Sequence, residues 1–172
     1  MLDPTRVTTA AQAEGVLDFE GFFHAEHERL FQALYLLTGN RYEADDLAQE
    51  ALMRAYERWD RVGSMDSPVG YVYRTALNLY RSRLRKAAVR ARRAFASIPT
   101  EDSSESVATS DEVHRALDAI PDAQREALVL TDWLGLDSEE AGRVLGIDAS
   151  SVRGRLHRGR DSLRKQLGDA DE

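Results

Sequence analysis

The chain has 172 residues and a formal net charge of −7, with 42% hydrophobic and 31% charged residues, a balance that excludes a disordered chain and allows one ordinary domain or two small ones. It contains no cysteine, which excludes a disulfide framework, a thiolate metal site and a cysteine nucleophile, and fits a reducing compartment. No run approaches the roughly 20 apolar residues of a membrane helix, and the opening MLDPTRVTTAAQAEGVLD has no basic start followed by an apolar stretch, so a cytoplasmic location is expected.

Charge is distributed in blocks. Residues 1–60 carry −7, residues 61–96 carry +8, residues 97–147 carry −9 and residues 148–172 carry +1. A surface without a polyanionic partner more often mixes its signs, so the alternation predicts two basic contact surfaces and at least one acidic one.

Residues 1–17 read as a disordered N-terminal segment. DFEGFFHAEHERLFQALYLLTGN then places Phe19, Phe22, Phe23, Leu30, Phe31, Leu34 and Leu37 on a broad apolar stripe. Asp18 can cap this first helix and Gly39-Asn40 can end it. His24, His27 and Glu28 could share a face, but they lie among phenylalanines with no third His or any Cys nearby, so a metal site is not expected. In RYEADDLAQEALMRAYERWDRV, Leu47, Ala51, Ala55 and Trp59 recur every four residues and predict a second helix. Glu43, Asp45, Asp46, Gln49 and Glu50 cluster near its start. Such acids either stabilise the helix dipole by about 0.3–1 kcal/mol each or form a docking face.

The third helix, SPVGYVYRTALNLYRSRLRKAAVRARRAF, starts after a break at Pro68 and sets Tyr71, Tyr73 and Tyr80 among eight basic residues from Arg74 to Arg93. Val72, Ala76, Leu79 and Leu84 are expected to face the core, leaving the arginines and at least some tyrosines exposed. Basic side chains neutralise phosphate and exposed aromatics stack unpaired bases, the requirements of a single-stranded nucleic-acid site. A merely solvated basic face is the alternative. FASIPTEDSSESVATSD, rich in Ser, Thr and acids, reads as a linker.

Beyond it, EVHRALDAIPDAQREALVLTDWLGLDSEEAGRVLGIDASSVRGRLHRGRDSLRKQL predicts a helix, a Pro121 break, a second helix, a short helix, Gly146 and a final helix. Asp137 and Glu140 have the spacing of a capping box, and Gly146 supplies the turn of a helix-turn-helix. Val152, Leu156, Leu163 and Leu167 fall on one face of the last helix, while Arg153, Arg155, His157 and Arg158 project elsewhere at the end such helices place in the major groove. A structural hairpin with a basic outer face is the plainer reading. No phosphate-binding glycine loop or serine nucleophile elbow is present, so no enzyme and no cofactor are expected.

Three of these stretches, in this order, resemble an extracytoplasmic-function (ECF) RNA polymerase sigma factor of the sigma-70 family. EADDLAQEALMRAYERW is similar to region 2.2, GYVYRTALNLYRSRLRK to region 2.4, and LDAIPDAQREALVL with SEEAGRVLGIDASSVRGRLHRGRDSLR to region 4. The resemblance implies an all-α chain of two small helical domains: a region 2-like domain over 18–95, a flexible acidic linker over 96–111, a region 4-like helix-turn-helix domain over 112–168 and a tail over 169–172. It implies core RNA polymerase as partner, through its clamp helices and flap, with Asp45, Asp46, Gln49 and Glu50 docking on the clamp helices. It further implies promoter DNA, opened at the −10 element by Tyr71, Arg74, Asn78, Arg81 and Arg85 and read as duplex at the −35 element by Ser151, Arg153, Arg155, His157 and Arg158. An inhibitory anti-sigma partner is common in such proteins, and the linker would follow the RNA path. Gly154 and Gly159 cost about 1 kcal/mol each in a helix interior relative to alanine, which predicts a recognition helix firm mainly when docked. A stand-alone helix-turn-helix regulator or a protein-binding adaptor would share the last helix, but neither needs the basic aromatic one.

Overall fold

The computed structural model describes residues 18–94 and 108–168, and all regular structure within them is helical. The expectations for residues 1–17, for most of the linker and for the tail lie outside the described residues. No described helix is long and apolar enough to cross a membrane.

Helix α1 spans Phe19–Thr38. The Asp18 carboxylate accepts from the Glu20 N–H at 3.4 Å, and Gly39 closes the helix at φ 65, its N–H donating to Tyr35 O. That left-handed conformation is one that side chains disfavour. Asn40, expected to share in ending α1, instead starts α2 (Arg41–Tyr56) by accepting from the Glu43 N–H at 3.0 Å. Ala44, Ala48, Ala51 and Ala55 along α2 are completely buried, and their small side chains let α1 and α4 lie close on either side. The single second helix expected to reach Val62 is broken at Arg58. A separate turn, α3 (Trp59–Val62), swings Trp59 onto the rings of Phe19 and Phe22, with centroids 5.2 and 5.0 Å away. Helix α4 (Pro68–Arg93) starts at a Ser67 cap with Pro68 in the first turn, where its missing N–H costs nothing.

The buried stripe of α4 differs from the expected one. Val72 and Ala76 are buried, but Leu79 is half-buried and Leu84 is exposed. Tyr73 and Tyr80 point inward with Leu77. Tyr73 Oη donates to Glu26 Oε2 at 2.9 Å and Tyr80 Oη to Leu37 O at 3.1 Å, so each buried phenol has a partner. Burial pushes the Tyr80 phenol up to about 12, and the Tyr73 phenol, beside Glu26, higher still. Of the tyrosines in the first half of α4, Tyr71 alone is left partly open.

In the second half, α5 (Ala108–Asp118) begins four residues before the expected boundary at 112. Helix α6 (Asp122–Leu128) follows Pro121 and runs into a π-helical turn over Val129–Trp133, in which the Leu134 N–H reaches back to Val129 O at 3.0 Å. Helix α7 (Ser138–Leu145) has the full capping box: Asp137 Oδ1 accepts from the Glu139 and Glu140 N–H groups at 2.9 and 2.8 Å, and Glu140 Oε2 accepts from the Asp137 N–H at 2.9 Å. Gly146, at φ 73, makes the turn into α8 (Ala149–Gly168). A Cβ on Gly142 would stand 2.7 Å from Ile147 O, so that turn closes only over a glycine.

The two halves share one core. Leu30, Leu34 and Leu37 of α1 and Leu77 of α4 line the same seam as Val129, Leu130 and Leu134 of the second half. Small helical units that bury only about 60% of their surface lean on a partner; here each leans on the other.

Candidate polymerase and nucleic-acid interfaces

The acidic face of α2 is pinned from two sides. Gln49 Nε2 donates to Asp45 Oδ2 at 2.7 Å, and Arg54 pairs with Glu50 at 2.7 Å. From α4, Arg83 pairs with Asp46 and reaches Glu50 at 3.3 Å. The structure therefore brings Asp45, Asp46, Gln49 and Glu50 onto one open face. Beside it lies an apolar cleft of about 290 Å³ lined by Phe19, Phe23, Gln49, Leu52, Met53 and Tyr56, with Met53 and Tyr56 more than half exposed. These two were missed in the sequence. Both lie off the alanine stripe on a helix whose buried face is already complete, and that spacing was the available signal. His24 lies 3.8 Å from Glu20, and His27 stacks on Phe23 and stands 4.0 Å from Asp45. Among the described residues no three His, Cys, Asp or Glu side chains are placed to hold a metal.

Tyr71, Arg74, Asn78, Arg81 and Arg85 succeed one another at steps of three and four residues and form one stripe of α4. Their surroundings divide them. Tyr71 and Asn78, with Thr75, line an open groove of about 300 Å³ whose other wall is Arg54, Glu57 and Arg58 at the end of α2. Arg74 faces a larger groove of about 630 Å³ between the 64–67 loop with the first turn of α4 and Glu140 and Arg143 of α7. Arg81 is engaged by the other half: its Nε and Nη2 donate to both oxygens of Glu126, at 3.0 and 2.6 Å. That carboxylate is 5% exposed, and its bonds hold the Arg81 guanidinium more firmly protonated. Arg85 is exposed beside Arg155 of α8. Glu126 was not singled out in the sequence, where it stands between Arg125 and an apolar run and its partner lies 45 residues away.

Helix α8 is capped by Asp148, whose oxygens accept from the Ser150 hydroxyl and from the Ser151 N–H and hydroxyl at 2.5–2.8 Å. These donors hold the Asp148 carboxyl well below the usual carboxylate range. The Ser151 hydroxyl is thus engaged in the cap. Arg153, His157 and Arg158 are exposed and Arg155 is half-buried. His157 stands 3.5 Å from Asp161, whereas no carboxylate among the described residues pairs with Arg153, Arg155 or Arg158. Further along, Arg160 forks onto Asp132 at 2.6 and 3.0 Å, lowering that carboxyl, and Arg164 pairs with Asp161 at 2.7 Å. The two glycines of α8 differ. Gly159 is buried, and a Cβ there would stand 3.1 Å from Leu128 Cδ1, so it is the point of closest approach to α6. The looseness expected from Gly159 is therefore corrected: it packs the helix down. Gly154 has only ordinary contact to its Arg158 neighbour.

A helix-turn-helix with unpaired arginines at the start of its second helix, joined to a helical unit with a basic stripe and an acidic face, defines a DNA-binding transcription protein with a further protein-docking surface. Residues 22–90 match the family described as Sigma-70 region 2, and residues 110–163 match Sigma-70, region 4. The chain is 33% identical over 153 residues to the ECF RNA polymerase sigma factor SigE of Mycolicibacterium smegmatis, covering 81% of this chain and 58% of that protein. It is 32% identical over 158 residues to the ECF RNA polymerase sigma factor SigW of Bacillus subtilis, covering 83% of this chain and 84% of that one. In fold it is similar to the sigma factor RpoE in its co-crystal with the anti-sigma factor NepR from Bartonella quintana, with a TM-score of 0.73 and 24% identity, covering 88% of this chain and 97% of that one. CnrH in complex with the cytosolic domain of CnrY gives a TM-score of 0.66 at 26% identity, covering 90% of this chain and 89% of that one.

The chain belongs to the ECF sigma factors of the sigma-70 family. It is a non-enzymatic subunit that joins core RNA polymerase, directs it to promoters through the −35 and −10 elements and promotes opening of the DNA.

Proposed function

We propose the following division of that work among the residues. The module over 18–95 docks on polymerase through Asp45, Asp46, Gln49 and Glu50, with Met53 and Tyr56 supplying the apolar centre of the contact. The same module handles the opened −10 strand along the α4 stripe of Tyr71, Arg74, Asn78, Arg81 and Arg85. A base can stack on Tyr71, worth about 1–3 kcal/mol, while Asn78 meets its edge in the groove shared with Arg54 and Arg58. Tyr73 and Tyr80 hold the helix from within and take no part. The module over 112–168, extended back to Ala108 by α5, reads the −35 duplex with Arg153, Arg155, His157 and Arg158. Arginine suits this because its fork matches guanine O6 and N7 or clamps phosphate. Ser151 serves the site by fixing the start of α8. The acidic stretch between the modules threads the RNA path.

The observation that carries the assignment is the division of arginines in α8: those at its N-terminal end have no carboxylate partner among the described residues, while Arg160 is paired with Asp132 and Arg164 with Asp161 of its own helix. The protein acts in the cytoplasm. Its control involves an anti-sigma factor, by analogy with the NepR and CnrY complexes of its structural neighbours. Asp45→Arg tests the docking face. It places a cation at the exposed acid that Arg83 does not reach, and it is expected to abolish co-elution with core polymerase at moderate salt while leaving the helical spectrum unchanged. Unaltered co-elution would refute the assignment.

A further inference from the structure

The hydroxyl groups at the start of α8 have a fixed polarity. Ser150 Oγ lies 2.5 Å from Asp148 Oδ1 and Ser151 Oγ lies 2.8 Å from Asp148 Oδ2, while the Ser151 N–H donates to Oδ1 at 2.8 Å. An ionised carboxylate only accepts hydrogen bonds, so each hydroxyl is the donor. The three donors together keep Asp148 ionised. A hydroxyl has a single proton, and both protons are therefore turned into the protein. What Ser150 and Ser151 can offer a partner are lone pairs alone.

The rest of the reading end has the opposite polarity. Arg153, Arg155 and Arg158 follow within about two turns, and a guanidinium only donates. Phosphate oxygens accept and never donate, so these arginines can meet the DNA backbone or guanine, whereas serine lone pairs beside a carboxylate are repelled by phosphate. In the major groove the hydrogen-bond donors are the adenine N6 and cytosine N4 amines. Thymine and guanine present oxygen acceptors in the corresponding places. The two serines therefore find a partner only in a base that carries an amine. Ser151 is the more firmly held of the two, because one carboxylate binds both its N–H and its hydroxyl.

We propose that Asp148 determines part of the sequence preference of α8: by taking both serine protons it fixes Ser150 and Ser151 as acceptors, which select an adenine or cytosine amine and reject guanine O6 or thymine O4. Asp148 is a positioning residue in this role, because it acts on DNA through the serines. A carboxylate that merely capped the helix would serve every DNA sequence alike. One that sets hydroxyl polarity separates the bases at the pair the serines face. The proposal rests on the assignment of α8 as the duplex-reading helix.

The test titrates holoenzyme, assembled from core polymerase and the full chain, with duplexes carrying every base-pair substitution across the −35 element. The wild type is expected to show a position at which adenine or cytosine is preferred to guanine or thymine by about tenfold, the difference between a hydrogen bond made and one lone pair facing another. Asp148→Asn keeps the cap, since Asn serves there as well as Asp. The Ser151 N–H holds the remaining oxygen in the Oδ1 place, so the amide nitrogen faces the Ser151 hydroxyl, which must then accept and turn its proton outward. The preference at that position is expected to fall by about tenfold while positions met by arginine keep theirs. Removing a negative charge strengthens every duplex together, so the ratio between bases at one position is the diagnostic reading. Ser151→Ala, which leaves the carboxylate in place, should erase the same preference. A profile unchanged in either variant, or weakened uniformly across all sequences, would overturn the proposal. So would a wild-type profile with no position that favours an amine. A holoenzyme indifferent to every −35 substitution would overturn the assignment of α8 as well.

Discussion

Helices α4 and α8 are both basic helices on an acidic protein, but they spend their charge differently. In α8 the pairs lie at the C-terminal half, Arg160 on Asp132 and Arg164 on Asp161, and the N-terminal arginines are left for a partner. In α4 the acids of the protein itself engage the basic residues: Arg81 of the stripe is held by Glu126, and Arg83, outside it, by Asp46 and Glu50. The face proposed to read duplex is open as it stands, whereas the face proposed to handle the opened strand is partly occupied by its own molecule.

The comparison can be broken first at the packing of α8. Gly159→Val forces a branched side chain against Leu128 and is expected to destabilise the fold by about 1–3 kcal/mol, read as a lower urea midpoint; an unchanged midpoint would mean that α6 and α8 do not meet there. Next is the inward tyrosine of α4. Tyr80→Phe removes the bond to Leu37 O and is expected to cost about 1 kcal/mol at neutral pH without altering DNA binding. Its pH signature follows from the raised phenol. The proton is held more tightly in the folded state, so the stability it contributes is present below about pH 10 and lost as pH rises through about 12. Urea unfolding across that range should show a shallower decline in Tyr80→Phe than in the wild type. The smallest effect is Gly154→Ala, which meets no close neighbour and should stabilise α8 by about 0.5–1 kcal/mol, the opposite sign to Gly159→Val.

Most helices were legible because their caps are local. Asp18, the pair Asp137 and Glu140, and Gly146 each specify an end within a few residues. The inward stripe of α4 was also present in the sequence: Tyr73, Ala76, Leu77 and Tyr80 stand at i, i+3, i+4 and i+7, a better helical stripe than the one through Leu79 and Leu84. Tyrosine among arginines nevertheless invites a surface reading, because the groups that satisfy the two phenols, Glu26 and Leu37 O, are far away in the chain. The break at Arg58 depends on Trp59 finding Phe19 and Phe22, and Gly159 on Leu128 arriving from α6. The pairing of Glu126 with Arg81 crosses 45 residues. These are tertiary facts with no local pattern, and they decide which of the proposed site residues are free to act.

The division between the faces is tested most directly with polymerase carrying Arg153→Ala or Tyr71→Ala, each titrated with a −35 duplex and with a single-stranded −10 oligonucleotide. Arg153→Ala is expected to weaken the duplex by about 1–3 kcal/mol and leave the single strand unaffected, and Tyr71→Ala to do the reverse by a similar amount. Both variants weakening both DNAs alike would contradict the account.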